Sequence, residues 1–375
     1  MPDKTYDLAI IGAGIVGLAH ALAASKRGKK VIVIDRDAAA NGASIRNFGF
    51  VTITGQQAGD CYEKAKRSRI IWGEVALAAK IPLLDQGLTM TARLPESEAV
   101  IDAFLKTEMG AGCHKMTVSE AAKRVPNLRR NALTCALYSP HEVRVESKQA
   151  LPLLANWMEE QLGVDFLWQT SVTAVETPKI STSGGDIFAE NVIVCPGDDV
   201  TGLFADRLAA YGITRCKLQM LRVDPRKSMT LGTTVMSDLG LARYLGYAEL
   251  DEAAPLKARL DREMSAWRDN GIHLIVVQSA DGSLVVGDSH HYGATPDPFV
   301  NKEVNDLILQ EMDHVLDLGD YDVSETWLGT YASAPDRWRV TDAPDDATRI
   351  VVVTAGCGAS TSFAIGEETI SNLYS

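Results

Sequence analysis

The first forty residues contain two short apolar runs on either side of a glycine turn and an alanine-rich stretch. The runs at 8–11 and 31–34 are continuous rather than alternating, which is typical of parallel strands buried on both faces. The stretch between them is long enough for a helix of about three turns. This order predicts a strand–helix–strand unit at the start of the chain.

The rest of the chain shows apolar positions at either helical or strand spacing. Helices are predicted over 59–80, 96–109, 118–125, 149–162, 304–318 and 363–374. Strands are predicted over 164–168, 171–175, 191–195 and 350–353. Between 215 and 290, short apolar runs separated by turns indicate an antiparallel sheet.

Composition narrows the class of protein. The 375 residues, 46% of them hydrophobic, suffice for about two domains, and a net charge of −12 argues against a nucleic-acid partner. The apolar segment 8–24 is interrupted by glycines and by His20 and follows acidic residues, so we expect neither a signal peptide nor a membrane span and predict a cytoplasmic protein. Six scattered cysteines and no HxxxH spacing predict reduced thiols and no metal site.

The glycine turn at 12–17 reads GAGIVG, the pattern of a dinucleotide-binding turn. Its glycines allow a tight turn, let a pyrophosphate approach the backbone and let the helix pack close to the strand. Phosphates then lie against the positive end of the helix. An acidic residue at the end of the second strand is placed to bind a ribose hydroxyl. The predicted contacts are Gly12, Gly14, Ile15, Val16, Gly17, Asp35 and Arg36.

Four segments together resemble the D-amino-acid oxidase family of FAD-dependent amine and amino-acid oxidoreductases, which includes glycine oxidase and sarcosine oxidase. They are the GAGIVG unit with its acidic residue, 42–49, 191–197 and 356–362. The resemblance implies FAD, with 42–49 along the pyrophosphate, 172 beside the adenine and the last turn at the flavin pyrimidine. Backbone N–H groups at the start of the last helix would stabilise negative charge on the reduced flavin. The further cofactor contacts implied are Ser44, Arg46, Asn47, Val172, Gly197, Gly356, Gly358, Ala359, Ser360 and Thr361.

Nucleotide-binding segments at both ends and in the middle, with sheet-rich insertions between them, predict two interleaved domains. The expected fold class is α/β, a Rossmann-like FAD-binding domain interleaved with an α+β substrate domain built on an antiparallel sheet. The FAD-binding domain is predicted over 1–80, 140–212 and 328–375. The substrate-binding domain is predicted over 81–139 and 213–327.

The chain departs from the family pattern at three positions. After Trp327-Leu328-Gly329 it has Thr330, where glycine oxidase-like members carry an arginine for the substrate carboxylate. Strand 283–287 lacks the lysine that helps oxygen react in sarcosine oxidase-like members. No cysteine lies between 216 and 357, where members with covalent flavin carry one, so we expect FAD to be bound noncovalently. An ordinary α-amino acid substrate and fast reaction with oxygen are therefore both in doubt.

Two local signatures, 46–56 and 287–293, resemble a branch of the family associated with aminophosphonate breakdown. A phosphonate suits a site with several donors rather than one bidentate arginine. Candidate catalytic residues are His290, His291 and Tyr331, and candidate substrate-binding residues are Arg243, Tyr244, Tyr292 and Trp327. Each also has an ordinary interpretation: a polar strand end for the histidines, a solvated surface group for the arginine, and core packing for the aromatic residues.

The resemblance implies oxidation of a C–N bond in a small amine that bears an anionic group. Hydride passes to the flavin, the imine hydrolyses to an aldehyde or keto product and ammonia or methylamine, and oxygen or another acceptor restores FAD. We expect a monomer or homodimer. Two alternatives remain: an FAD-dependent hydroxy-acid or polyol-phosphate dehydrogenase, and a flavin-carrying subunit of a larger oxidase.

Overall fold

The computed structural model describes residues 5–375, apart from the side chain of Asp85. The strands are β1 (Thr5–Ile11), β2 (Val31–Ile34), β3 (Phe50–Val51), β4 (Leu83–Ala92), β5 (His114–Met116), β6 (Cys135–Val145), β7 (Asp165–Leu167), β8 (Val172–Glu176), β9 (Lys179–Thr182), β10 (Gly185–Val194), β11 (Thr214–Pro225), β12 (Thr234–Met236), β13 (Ile275–Gln278), β14 (Leu284–Gly287), β15 (His291–Gly293), β16 (Tyr321–Ser333), β17 (Arg339–Asp342) and β18 (Thr348–Val353). The helices are α1 (Ile15–Ser25), α2 (Asp60–Ala78), α3 (Pro95–Phe104), α4 (Val118–Arg124), α5 (Ser147–Leu162), α6 (Ala205–Ala209), α7 (Leu245–Ala248), α8 (Ala253–Glu263), α9 (Ser265–Asp269), α10 (Lys302–Val315) and α11 (Gly358–Leu373).

The first sheet has the strand order β17-β18-β10-β1-β2-β7, with β8 and β9 attached through β10. Strands β18, β10, β1, β2 and β7 run parallel, and β17 is an antiparallel edge. Both faces are buried: Leu8 and Ile10 lie in the main core with helices α1 and α11, while Ala9 lies in a second core with Ile32 and Ile34. This confirms the α/β, Rossmann-like unit that the continuous apolar runs predict.

The second sheet has the order β15-β11-β14-β13-β12-β4-β6-β3, with β16 paired to β11 and β5 to β6. Its pairs are antiparallel except for β12 with β4. The antiparallel sheet expected between 215 and 290 is thus present, but it is larger than predicted. It contains all of 135–145 and 321–333, which cross the predicted domain boundaries at 139/140 and 327/328. Pairing along the whole length of β11 keeps β16 in one sheet.

Three predicted elements have different limits in the structure. The last helix begins at Gly358 rather than 363, because the N–H groups of Ser360 and Thr361 already bond to the carbonyl of Cys357. The helix predicted over 96–109 ends at Phe104 and is followed by a separate 3₁₀ turn. Strand β10 starts earlier than predicted because its polar first half pairs with β9. Within 5–375 we find no helix with the length and apolar character needed to cross a bilayer.

Candidate active site

A cavity of about 660 Å³ lies between the two sheets and is lined by residues from both. On one side it meets the carboxyl ends of three parallel strands, at Ile11, Ile34 and Val194. Ligands of open α/β sheets bind outside this edge of the sheet. On the other side it meets the antiparallel sheet. Its volume lies within the usual range for a cofactor or ligand site.

The glycine turn has the geometry that a dinucleotide cradle requires. Gly12 has φ +104°, and a Cβ there would lie 2.4 Å from the carbonyl oxygen of Cys195. A Cβ at Gly17 would lie 1.8 Å from the carbonyl oxygen of Gly12, so helix α1 approaches the turn as closely as backbone allows. Gly14 faces the Ser44 hydroxyl, and all three glycines line the cavity together with Ile15 and Val16.

Asp35 stands at the end of β2 and lines the cavity, as predicted for a ribose contact. Its carboxylate accepts hydrogen bonds from the N–H of Ala13 at 2.6 Å and of Asp37 at 2.9 Å. A carboxylate has about four lone-pair positions, so two bonds leave capacity for ribose hydroxyls. Arg36 also lines the cavity, but its guanidinium forms an ion pair with Asp199 at 2.8 Å.

The segment 42–49 lies along the cavity. Some of its side chains bond to residues outside the segment, and others bond to the backbone of the segment itself. Ser44 Oγ accepts a hydrogen bond from the N–H of Ile15 at 3.0 Å and so joins this loop to the start of α1. Arg46 donates to Asn41 at 3.3 Å. The amide of Asn47 binds backbone groups of the loop itself, which leaves it a structural role beside the cofactor site.

Val172 and Gly197 line the cavity at the end where the adenine is expected. Val172 begins β8, directly after a segment in which the N–H of Thr170 bonds to the carbonyl of Asp35 at 2.9 Å. Gly197 has φ +64° and turns the chain away after β10. Both residues therefore line the same cavity as Asp35, and their contacts with the cofactor stay predictions.

The last turn meets the cavity through Gly356, Gly358, Ala359 and Ser360. No described residue accepts a hydrogen bond from the N–H of Gly358 or Ala359, which are the first two of helix α11. These two groups are available to stabilise negative charge, whereas the N–H groups of Ser360 and Thr361 are not.

The prediction for Thr361 itself is wrong. Thr361 is fully buried, its hydroxyl bonds to the carbonyl of Cys357, and it does not line the cavity.

On the antiparallel side, five predicted residues come together. Arg243, Tyr244, His290, Tyr292 and Tyr331 all line the cavity. Arg243 donates to the Tyr292 hydroxyl at 3.0 Å, and no carboxylate lies within ion-pair distance of it among residues 5–375. Its guanidinium therefore faces the cavity without a direct ion pair, although the Asp288 carboxylate acts on it from a longer distance.

Two predicted residues do not reach the cavity. His291 bonds to the side chain of Asn270 at 3.0 Å and points away, because neighbouring residues of a strand face opposite sides. Trp327 donates its indole N–H to the carbonyl of Arg46 at 3.2 Å and packs beside the main core. The catalytic prediction for His291 and the substrate-binding prediction for Trp327 are therefore wrong.

A buried group that the sequence reasoning missed lies beside Arg243. His273, Asp288 and His290, hereafter the Asp288 cluster, all line the cavity, and their ring nitrogens and carboxylate oxygens lie within 4.8 Å of one another. Burial raises the pKa of Asp288 to about 7, although Arg243 opposes the shift. Burial also holds the pKa of both histidines well below the usual range. A search for HxxxH spacing could not find a group formed across a hairpin.

Three cysteines also line the cavity: Cys61, Cys195 and Cys357. The sequence reasoning considered only residues between 216 and 357 as flavin-linking cysteines and so missed them. All six cysteines are unpaired. Noncovalent attachment of FAD stays a prediction.

Because Trp327 packs beside the core and does not line the cavity, its replacement should lower stability slightly and leave substrate binding unchanged. We expect Trp327→Phe to lower stability by about 1 kcal/mol, because one hydrogen bond to a loop carbonyl is lost. Thermal unfolding and the KM for an amine substrate are the measurements, with Trp157→Phe, a half-buried tryptophan on α5, as the matched control. A KM raised about tenfold in the Trp327 variant alone would place the ring in the substrate site after all.

Comparisons with known proteins agree with this geometry. The model of the family described as DAO, FAD dependent oxidoreductase, matches residues 7–371. Glycine oxidase from Geobacillus kaustophilus (strain HTA426) is 25% identical over 219 residues, 55% of this chain and 56% of that protein. The aligned part thus spans just over half the length of that relative.

Solved structures share the fold over nearly the whole chain. Glycine oxidase from Bacillus cereus ATCC 14579 superposes with a TM-score of 0.79 at 18% identity, covering 98% of this chain and 95% of that one. L-α-Glycerophosphate oxidase from Mycoplasma pneumoniae, solved with FAD bound, gives 0.76 at 17% identity, covering 99% and 95%. The cradle at Gly12–Gly17, the carboxylate of Asp35 and the free N–H groups at the start of α11 fit an FAD molecule. The chain belongs to the DAO family of FAD-dependent oxidoreductases.

Proposed function

We propose that this protein oxidises the C–N bond of a small primary or N-methylated amine that bears an anionic group. The substrate class comprises amino acids and aminoalkylphosphonates such as 2-aminoethylphosphonate. The products are an aldehyde or keto compound and ammonia or methylamine. The observation that carries the proposal is the guanidinium of Arg243, which faces the cavity and has no carboxylate within ion-pair distance among the described residues.

Arg243 offers an anion site in a place different from the one that the family pattern suggested. Position 330, where a carboxylate-binding arginine was expected, is Thr330, and it lines the same cavity. Arg243 instead follows a 3₁₀ turn at Asp238–Ala242 and reaches the cavity beside the hydroxyl of Tyr292. A guanidinium with neighbouring hydroxyl donors suits a carboxylate and also the three oxygens of a phosphonate.

The other residues orient the substrate and limit water. The ring of Tyr331 packs against Gly356, where a Cβ would lie 3.2 Å from it, so this aromatic wall is joined to the flavin-side turn. Tyr244 packs edge-on to His273, with ring centroids 5.2 Å apart. When bound, FAD would supply the acceptor for a hydride from the substrate carbon. The N–H groups of Gly358 and Ala359, which have no acceptor among the described residues, would be available to stabilise the negative charge that develops.

The names of the related proteins support an amine substrate, and one of them also suggests the alternative reaction, oxidation of a hydroxyl group. Glycine oxidase, matched both in sequence and in fold, acts on an amine by its name. L-α-Glycerophosphate oxidase shares the fold and is named for a hydroxyl compound that bears a phosphate. Arg243 would bind the anion of either compound. Whether a C–N bond or the C–O bond of an alcohol is oxidised therefore has to be tested by identifying the products.

Product analysis separates the two chemistries. The FAD-loaded protein is incubated with 2-aminoethylphosphonate, its N-methyl derivative, glycine, sarcosine and glycerol 3-phosphate, with oxygen and with an artificial electron acceptor. We expect an aldehyde or keto product with ammonia or methylamine from at least one amine. Turnover of glycerol 3-phosphate alone would contradict the proposal and favour the hydroxyl-oxidising alternative.

A further inference from the structure

The Asp288 cluster has an arrangement of acceptors that demands a proton or a cation. His290 Nδ1 lies 2.9 Å from the carbonyl oxygen of Gly271, which can only accept, so this nitrogen carries the proton. In the neutral ring Nε2 is then an acceptor, and it faces Asp288 Oδ2 across 3.7 Å. Two acceptors face each other without a donor between them.

The other carboxylate oxygen of Asp288, Oδ1, also lacks a hydrogen-bond donor in the described structure. Asp288 Oδ1 and His273 Nδ1 are 3.4 Å apart, and neither has a hydrogen-bond partner in the described structure. The Tyr244 hydroxyl lies 3.4 Å from the other ring nitrogen of His273. Asp288 is only 5% exposed, so bulk water does not supply the missing donors.

The charged and titratable groups around Asp288 come from several elements. Arg243 and Tyr244 approach from the segment before α7, and His273 from the residues before β13. Cys216 lies on β11, and the pKa of its thiol is raised, mainly by burial. His290 follows Asp288 on its own segment, and Tyr331 on β16 packs against the His290 ring with centroids 6.3 Å apart. Arg243 is the one permanent cation of this set.

We propose that the Asp288 carboxylate, held between His273 and His290, binds the substrate ammonium group and accepts its proton before oxidation. This inference rests on the proposed function and adds a catalytic residue to it. The substrate then spans two subsites: its anionic group at Arg243 and its nitrogen at Asp288. Both side chains line the same cavity, so a compound that carries both charges can meet both subsites.

The proton step balances within the site. One N–H bond of the ammonium breaks and an O–H bond forms on the Asp288 carboxyl, while the nitrogen keeps the electron pair. The neutral amine can then release a hydride from its carbon to the bound FAD that the proposed function already supplies. The single O–H of the protonated carboxyl faces His290 Nε2, which is an acceptor because the other ring nitrogen carries the proton.

The two histidines and the carboxylate also lie close enough to suggest a metal ligand set. We assign no metal there, because the uncompensated guanidinium of Arg243 acts on all three residues and opposes a second fixed cation. A transient ammonium brings its own anionic group to Arg243, so the two charges of the substrate meet opposite charges in the protein.

The titration of Asp288 predicts in which direction the rate of flavin reduction changes with pH. Its pKa is raised to about 7, mainly by burial, so the carboxylate form that accepts a proton dominates only above neutral pH. Both histidines stay neutral because burial lowers their pKa. Flavin reduction should therefore accelerate as the pH rises through about 7 and then level off well below the pKa of the free amine, about 10.

The test compares FAD-loaded wild type, Asp288→Asn and the matched control His291→Gln, whose side chain faces away from the cavity. Each is mixed anaerobically with 2-aminoethylphosphonate, its N-methyl derivative, glycine and sarcosine between about pH 6 and about pH 10. In Asp288→Asn we expect flavin reduction about 10²- to 10³-fold slower at pH 7. The defect should shrink about tenfold per pH unit, because the variant must wait for free neutral amine. The control should follow the wild-type profile.

A binding measurement supplies a readout that does not depend on turnover. The dithionite-reduced enzyme, which cannot accept hydride, is titrated by calorimetry with glycine or 2-aminoethylphosphonate and with acetate or ethylphosphonate, which lack the amino group. Wild type should prefer the amino compound about tenfold, and Asp288→Asn should lose that preference.

The outcomes separate this inference from the proposed function. Reduction of wild type by an amine, with the same pH profile in Asp288→Asn, overturns the role of Asp288 alone. A wild-type reduction rate that follows only the fraction of neutral amine in solution would also overturn the role of Asp288, and the wild-type protein alone would show it. A divalent metal found at one ion per chain in the purified protein also overturns it. If no amine reduces the wild-type flavin, the proposed function fails and this inference fails with it.

Discussion

Replacing Gly17 with alanine is expected to abolish FAD binding. The added Cβ would lie 1.8 Å from the carbonyl oxygen of Gly12, a contact with rigid backbone that no side-chain rotation relieves. Either helix α1 moves away from β1 or the turn opens, and both changes displace the N–H groups that bind the pyrophosphate. We expect the dissociation constant for FAD to rise by more than about 100-fold, which corresponds to about 2.7 kcal/mol.

The flavin content of the purified variant and a fluorescence titration with added FAD are the measurements. Gly73→Ala is the matched control, because Gly73 lies within helix α2, where the nearest atom to an added Cβ is a flexible arginine end at 3.6 Å. Alanine favours a helix over glycine by about 1 kcal/mol, so this control should be at least as stable as wild type. Normal flavin content in Gly17→Ala would show that the cofactor does not use this turn.

Replacing Arg243 with methionine is expected to remove the preference for anionic amines. The variant keeps a long apolar side chain but loses the charge of Arg243, which faces the cavity and has no carboxylate within ion-pair distance among the described residues. A charge-assisted hydrogen-bond pair contributes about 1.5–3 kcal/mol, so kcat/KM for an anionic amine should fall by about 10- to 150-fold. Arg243→Lys should recover part of the loss, because it restores the charge but not the planar fork.

The comparison uses 2-aminoethylphosphonate and glycine against ethylamine, which has no anionic group. In wild type, ethylamine should be the poor substrate, and in Arg243→Met the difference should nearly vanish. Arg262→Met is the control, since this exposed arginine on α8 pairs only with its neighbour Glu263 among the described residues. Equal losses for charged and uncharged amines would assign Arg243 a structural role instead.

The cofactor half of the site was predictable because its signals are local. The turn at 12–17, the strand before it and the acidic residue after β2 lie within one short segment, and each position has a steric or electrostatic requirement. The placement of Asp35 and of the last turn agrees with these requirements. The cofactor-contact prediction for Thr361 was wrong because helix α11 begins five residues earlier than its apolar pattern indicated, and the Thr361 side chain is buried.

The substrate half depends on contacts between distant segments. Whether His290 or His291 faces the cavity is decided by strand register, which two adjacent histidines do not reveal. Arg243 and His273 come to Asp288 from separate elements. One signal was available for part of this group: the turn at Asp281-Gly282 predicts a hairpin, and the observed pairing of Ile275 with Gly287 brings 273 near 289. No comparable local signal places Arg243.

Oxidation of an anionic amine is tested most directly by the absorbance of the bound oxidised flavin after anaerobic mixing with such amines. We expect that at least one of 2-aminoethylphosphonate, its N-methyl derivative, glycine and sarcosine bleaches the flavin in the wild-type protein, and that Arg243→Met slows this reduction. Full retention of the oxidised flavin band with every amine, together with bleaching by glycerol 3-phosphate, would contradict it.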